Sequence, residues 1–331
     1  MTHPIIPRTP HGRALVLGGL LFLACAARSA EPLPAKFTIV GNAALAGAFA
    51  GIGDVYRQSH PGAEITFISG DDGTAMAALT FGSSPIAPMT GEYTAAGLTA
   101  VRKLVGPDPL AIRIGYASAD PAAPVGPPAI VVNKDNPLTS LSVEQVQRIF
   151  CTGAPKSDIT GWGQLGLKGE WSTRPIHPCG LPESDIYESD DVGMGAFLVA
   201  QKMPGLHFNH VYETYAHYDE VLQRIRGDRS AIGIVALNRV KGDVRIVGLA
   251  NDEWSPVSSG SAADLASGRY PFNRSLYVYL LRTPGHPLDP LAVSLARTIL
   301  SEAGQQALAA ERSRLIPLNP ADRAAELAKL Q

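Results

Sequence analysis

The chain has 331 residues, 45% of them hydrophobic, with 28 Lys and Arg against 30 Asp and Glu and a formal net charge of −2 at pH 7. That length suits two domains better than one and leaves ample aliphatic material for their cores. A mildly acidic chain without basic blocks argues against nucleic acid as a partner.

At the start, Arg8 and Arg13 precede the apolar run ALVLGGLLFLACAA, which ends in small residues before RSAEPLP. A basic opening, an apolar stretch of about 7–15 residues and a small-residue exit describe a secretory signal over residues 1–30. The run is too short for a membrane span of roughly 20 residues. Cleavage near Ala26, Ser29 or Ala30 fits the pattern. Cys25 offers an alternative as a lipidated first residue, although Phe22 stands where a lipobox wants an aliphatic. Loss of Arg8, Arg13 and Arg28 with the signal takes the formal charge from −2 to −5. The expected location is the periplasm, with secretion or lipid anchoring as alternatives. Once Cys25 has gone, Cys151 and Cys179 remain. In an oxidising compartment an even pair is most simply a disulfide, with two separate buried thiols as the alternative. Such a bridge would contribute about 3 kcal/mol through chain entropy. Neither thiol has a second ligand at zinc spacing, so no metal is expected there.

Residues 37–41 read as a short strand, Asn42 as the cap of a helix over 45–58, and 64–69 as a second strand. GDDG turns into a helix over 74–81, and PIAPM is a third short strand. Strand–helix–strand with tight turns implies a parallel sheet. ADPAAPVGPP cannot continue a central strand and marks an exit from the first lobe. Beyond it come a strand at AIVVNKDNPL and an amphipathic helix SVEQVQRIF capped by Ser142 or Ser140. The segment 151–180 is rich in loops. A helix over 192–203, a helix over 217–227, and strands at 231–237, 244–250 and 270–281 follow. The pattern continues with one long helix from 290 and a helical tail after 320. The chain leaves one α/β lobe, builds another and returns: 35–125 plus 268–331 for the first, 127–267 for the second. Open α/β sheets bind ligands where glycine turns and helix N-termini meet in a crevice.

Three stretches together resemble the periplasmic phosphate-binding proteins of ABC importers and their PstS-like relatives. They are NKDNPLTSLSVEQVQRIFCTGAPKSDITGWGQLG, SSPIAPMTGEYT, and RYPFNRSLYVYLLRTPGHPLDPLAVSLARTILSEAGQQALA. The resemblance implies a two-lobed type II periplasmic binding protein fold with the ligand cleft between the lobes. It also implies phosphate or a related oxyanion as ligand and an ABC permease as partner. Members hold the anion with hydroxyls and backbone N–H groups at helix N-termini, plus an arginine. Carried onto this chain, the positions are Asn42, Ala43, Ser69, Gly70, Thr90, Gly193 and Met194. The family's GSGT motif falls on Asp191, Val192, Gly193 and Met194, without its serine and threonine. Asp71 and Asp72 follow the serine–glycine turn, and Arg174 is the nearest arginine, some distance upstream.

PESDIYESDDVGMGAFLVAQK places Glu183, Asp185, Glu188, Asp190 and Asp191 just ahead of a helix start. Helix N-termini attract anions, so these acids either cap the helix themselves or mark a changed ligand. Either way, the expectation is that the protein supplies its own anion here. His207, His210, Glu213 and His217 could share a helical face as metal ligands, although surface histidines are the commoner case. Asp71, Asp72 and Glu92 could pair for acid–base work, but no nucleophile or base accompanies them, and GDDG is more simply a turn. No P-loop, G-x-S-x-G or H-E-x-x-H is present. The expected protein is not an enzyme, carries no cofactor or metal, and is a monomer. It is either a solute-binding protein for ABC-type uptake or an accessory protein that keeps the fold and acts by protein contact.

Overall fold

Strand β1 (Lys36–Asn42) lies parallel to β2 (Glu64–Gly70), with Gly41 opposite Ser69 and Asn42 opposite Gly70. A single 3-10 turn over Ala43–Leu45 leads into α1 (Ala46–Ser59), which buries Ala48, Phe49, Ile52 and Tyr56 at helical spacing. Next come α2 (Asp72–Thr80), β3 (Ala87–Met89), α3 (Ala95–Val105) and β4 (Leu110–Tyr116). This computed structural model describes Met1, Leu33, and residues 35–183 and 194–331; the expected signal, Met1 aside, lies outside the described residues.

The middle of the chain builds a six-stranded sheet. It begins with β5 (Pro128–Asn133), β6 (Ser140–Ser142) and α4 (Val143–Phe150), then β7 (Cys151–Thr152) and β8 (His177–Gly180). Helix α5 (Met194–Phe197) runs on as a wider turn over Leu198–Lys202. After β9 (His207–Phe208), β10 (Glu213–Thr214) and α6 (Tyr218–Gly227) come β11 (Ala231–Ala236) and β12 (Val244–Ala250). The strand order is β10-β8-β11-β5-β12-β6, with β5 antiparallel to both neighbours. β5 and β11 are buried along their whole length, as expected for central strands covered on both faces. Val131, Ile149, Trp162, Ile234 and Phe272 belong to the core on this sheet. Ser142 caps α4 and completes a reciprocal capping box with Gln145, so the expected cap is present.

The chain then passes α7 (Ala262–Ala266) and returns through β13 (Ser275–Leu280), α8 (Pro290–Leu300), α9 (Glu302–Ala309), β14 (Ile316–Pro317) and α10 (Pro320–Ala328). The second main sheet has the order β14-β4-β13-β3. Here the expected simple parallel sheet is corrected: of the first three strands only β1 and β2 pair in parallel, while β3 pairs antiparallel with β13, far along the chain. Pro88 offers no N–H to a ladder, and β3 accordingly lies at the sheet's edge. A second core of Met76, Leu79, Met89, Val101 and Tyr279 joins α2 and α3 to this sheet. α10 is tied to β4 by Arg113–Asp322 at 2.9 Å and by the Tyr116 hydroxyl, which donates to Asp322 at 2.7 Å. Residues Pro34–Gln331 form one compact unit.

The helix expected from 290 is corrected. The long helix from 290 is two helices, broken where Ser301 turns extended and accepts from Gly304 N at 3.0 Å. A Cβ on Gly304 would stand 2.0 Å from the Thr298 carbonyl, so a glycine is needed for the second helix to start against the first. The proline-rich stretch is packed: Val125 and Ala123 are buried, and Asn238 Nδ2 donates to the Ala123 carbonyl at 2.8 Å.

Cys151 and Cys179 are separate buried thiols, which corrects the expected disulfide. Cys151 belongs to the β7–β9 ribbon, whereas Cys179 sits in the six-stranded sheet between β11 and β10. Their sulfurs have other partners: Cys151 Sγ donates toward Met203 Sδ at 3.1 Å and Cys179 Sγ toward the Ile232 carbonyl at 3.5 Å. Burial pushes each thiol up to about 12.

Candidate functional site

Asn42 is both the last residue of β1 and the cap of the turn that follows. Its Oδ1 accepts from Ala44 N at 3.0 Å, which leaves Nδ2 free to point elsewhere. That group donates to Asp72 Oδ1 at 2.8 Å and lies 3.5 Å from Thr90 Oγ1. Asp71 caps α2 by accepting from Thr74 N at 2.6 Å, and this places Asp72 as the first helical residue. Asp72 also receives the Thr90 backbone N–H at 3.1 Å on Oδ1 and the Thr90 hydroxyl at 3.3 Å on Oδ2. The residue as a whole keeps some exposed surface, while its carboxylate is desolvated by these neighbours. Burial pushes the Asp72 carboxyl above its usual range, and the Asn42 and Thr90 bonds and the Arg274 charge only partly oppose it.

Thr90 follows β3 and is 3% exposed; Arg274 immediately precedes β13 and is 1% exposed. Arg274 donates through Nε to the Thr90 carbonyl at 2.8 Å and through Nη2 to the Thr90 hydroxyl at 3.0 Å. The antiparallel pairing of β3 with β13 brings these two residues together. The hydroxyl accepts from Arg274 and donates to Asp72, so it relays between cation and anion. The Arg274 guanidinium also lies over the Phe197 ring, 5.3 Å from its centroid. Helix α5 thereby reaches the polar cluster from the six-stranded side. Lys202, in the turn after α5, is held below the usual lysine range by burial, with the Glu92 charge opposing. Glu92 in turn accepts from the Tyr277 hydroxyl at 2.7 Å.

Of the residues named from sequence, Asn42, Ser69, Gly70 and Thr90 meet at the carboxyl ends of β1, β2 and β3. Ala43 stands exposed at the start of the 3-10 turn. Met194 is 1% exposed and packs in the core beside Phe197 and Leu198, so its side chain serves packing. Gly193 and the acids from 185 to 191 lie outside the described residues. Glu183 pairs with His207 and accepts from Phe208 N at 3.0 Å. Arg174 is engaged with Glu170 and stacks on Trp171, 5.0 Å from the ring centroid. The shared helical face for metal ligands does not form: His207 is in β9, and Glu213, in β10, is bonded to Arg224 at 2.6 and 2.9 Å. Among the described residues no group of three or more ligands gathers for a metal.

Sequence reasoning missed Arg274 as the site's arginine and Asp72 as its acceptor. A signal for the arginine was present, since it interrupts the apolar run YPFNRSLYVYLL where a charge must find a buried partner. Nothing local distinguishes Asp72 from a helix-starting acid.

A chain that begins in one α/β sheet system, builds a second and returns to the first, with buried polar donors at the strand ends, belongs architecturally to the two-lobed binding proteins. A family model described as a PBP superfamily domain matches residues 26–303, and the chain belongs to that superfamily. It is 26% identical over 300 residues to the phosphate-binding protein PstS of Pseudomonas aeruginosa, covering 90% of this chain and 88% of that protein. A solved ABC-type phosphate transport receptor from Vibrio cholerae has a similar fold, with a TM-score of 0.57 and 16% identity over 85% of this chain and 99% of that one. PstS from Borrelia burgdorferi is also similar, with a TM-score of 0.55 and 14% identity over 86% and 99% of the two chains. The fold is therefore that of a type II periplasmic binding protein.

Proposed function

We propose that this chain is an exported, periplasmic solute-binding protein that takes phosphate or a related oxyanion between two lobes and delivers it to an ABC permease. The lobes are 35–125 with 268–331, and 127–267. The observation that carries the reading is the buried Arg274–Thr90 pair with Asn42 beside it, a set of charge-assisted and neutral donors at strand ends. Buried cationic donors of this kind suit an anion, because taking an oxyanion out of water demands several compensating bonds. Ser69, Gly70 and the backbone at Ala43 complete the proposed binding surface, with Gly193 carried over from the family resemblance alone. Ligand contacts made by both lobes would drive hinge closure, with helix α5 and Phe197 as the approach from the second lobe. The similarity to phosphate-binding transport receptors favours transport over catalysis.

The deciding experiment is calorimetric titration of inorganic phosphate into refolded, ligand-stripped protein. Saturable binding at micromolar affinity or tighter supports uptake. Absence of heat at millimolar phosphate, with the fold verified, removes phosphate as the ligand. A second reading, an accessory protein that keeps the fold and acts by protein contact, is favoured by one observation: Asp72 already engages the Asn42 and Thr90 donors.

A further inference from the structure

We infer that the Asp72 carboxylate is the resident occupant of the Asn42 and Thr90 donor set beside the Arg274 charge, so that an oxyanion enters only by displacing it. Asp72 is then the specificity-determining residue of the proposed site, and the inference rests on the oxyanion reading above.

The geometry carries this. Two donors from different elements, Asn42 Nδ2 and the Thr90 N–H, converge on one carboxylate oxygen, and the Thr90 hydroxyl takes the other. An oxyanion offers the same acceptor chemistry, and it would seek the same three donors beside the same guanidinium charge. Two neighbouring N–H groups are committed as well: Ala44 N to Asn42 Oδ1, and Thr74 N to Asp71 Oδ1. An anion that entered beside an unmoved Asp72 would add negative charge next to a desolvated carboxylate, with one guanidinium to balance both. Displacement has a simple route. Asp72 sits at the first position of α2 and keeps some exposed surface, so a side-chain rotation carries its carboxylate toward water while the helix stays in place. The acidic side chain also remains favoured near the positive end of the helix in either rotamer.

The test uses the protein purified after export with its own leader, stripped by unfolding and refolding, with near-UV circular dichroism as the fold check. Inorganic phosphate is titrated calorimetrically into wild type, Asp72→Asn and Asp72→Ala. The expected result is at least tenfold tighter binding by Asp72→Ala than by wild type, with Asp72→Asn in between. If Asp72→Ala fails the fold check, Asp72→Asn decides, with a gain of threefold or more expected. A gain confined to the variants, with none in wild type, upholds the inference and removes phosphate as the wild-type ligand. Wild-type binding that is unchanged, weakened or lost in the variants overturns the inference and leaves the proposed function standing, with Asp72 as a bystander or a ligand contact. No binding by any of the three proteins overturns both.

Discussion

Arg274 grips Thr90 twice, at 2.8 Å through the carbonyl and 3.0 Å through the hydroxyl, across 184 positions of sequence. Both residues are buried, so neither bond is replaced by water when one partner is removed. Replacing Arg274 with methionine is expected to cost about 3 kcal/mol of unfolding free energy, because both bonds to Thr90 go and a desolvated carboxylate loses its countercharge. Urea unfolding followed by far-UV circular dichroism measures this. Arg274→Lys should recover only part of the loss, since one ammonium lacks the planar fork. A cost below about 1 kcal/mol for the methionine variant would show that the pair does not hold these strands together.

Thr90→Val keeps the shape and removes the relay. Arg274 Nη2 loses an acceptor and Asp72 Oδ2 loses a donor, for an expected cost of about 2 kcal/mol. Thr90→Ser restores the hydroxyl and should fall within about 1 kcal/mol of wild type, the remainder reflecting the lost methyl. Equal stability of the valine and serine variants would contradict the relay.

Asp72 has a pH signature. Burial raises its folded-state pKa above the ordinary aspartate range, so the folded state holds the proton more tightly than the unfolded state. The stability contributed at this position is therefore full at low pH and is lost as pH rises through the raised value. Arg274, Tyr93 and Tyr279 act electrostatically with Asp72 and are common to wild type and variant. The melting temperature of wild type relative to Asp72→Asn should therefore rise as pH is lowered from neutrality into the acid range. A difference that stays flat, or moves the other way, would mean the carboxyl is not held up.

The cysteines give a chemical test. Protein denatured without reductant should take up iodoacetamide at both Cys151 and Cys179. The native protein should be slow to react, because both thiols are buried and pushed up to about 12. Recovery of a linked Cys151–Cys179 peptide from unreduced protein would refute the separate thiols.

Gly126 lies in the proline-rich crossing, and a Cβ there would stand 1.9 Å from Asn238 Oδ1. Gly126→Ala is expected to destabilise by about 2 kcal/mol, since Asn238 must give up its place under the crossing. Pairing it with Asn238→Ala should recover a substantial part of that loss in a double-mutant cycle. Purely additive costs would place the strain elsewhere.

Much of the architecture was legible from residues alone, because it depends on short-range chemistry. The strands at 36–42, 128–133 and 231–236 are apolar runs between turn signals, and Ser142 announces α4 by its capping box. The break at Ser301 was not seen, because an alanine-rich, amphipathic segment has helical periodicity on both sides of it. The bridge between Cys151 and Cys179 was inferred from count and compartment. Whether two thiols meet depends on which sheet each strand joins, and that information is not local.

The candidate site divides the same way. Sequence by itself determined that Asn42 would cap a helix, which the structure narrows to the 3-10 turn ahead of α1, that Ser69 would end a strand, and that Thr90 would follow the third. Each of these depends on a few neighbouring residues. Only the tertiary structure decided that Thr90 would meet Arg274 and that Asp72 would take the donors of Asn42 and Thr90. The antiparallel pairing of β3 with β13 decides the first of these, because it joins segments far apart in the chain, and the packing of α2 against β1 and β3 decides the second. A buried arginine must find acceptors and a desolvated carboxylate must find donors, but their identity depends on long-range strand order.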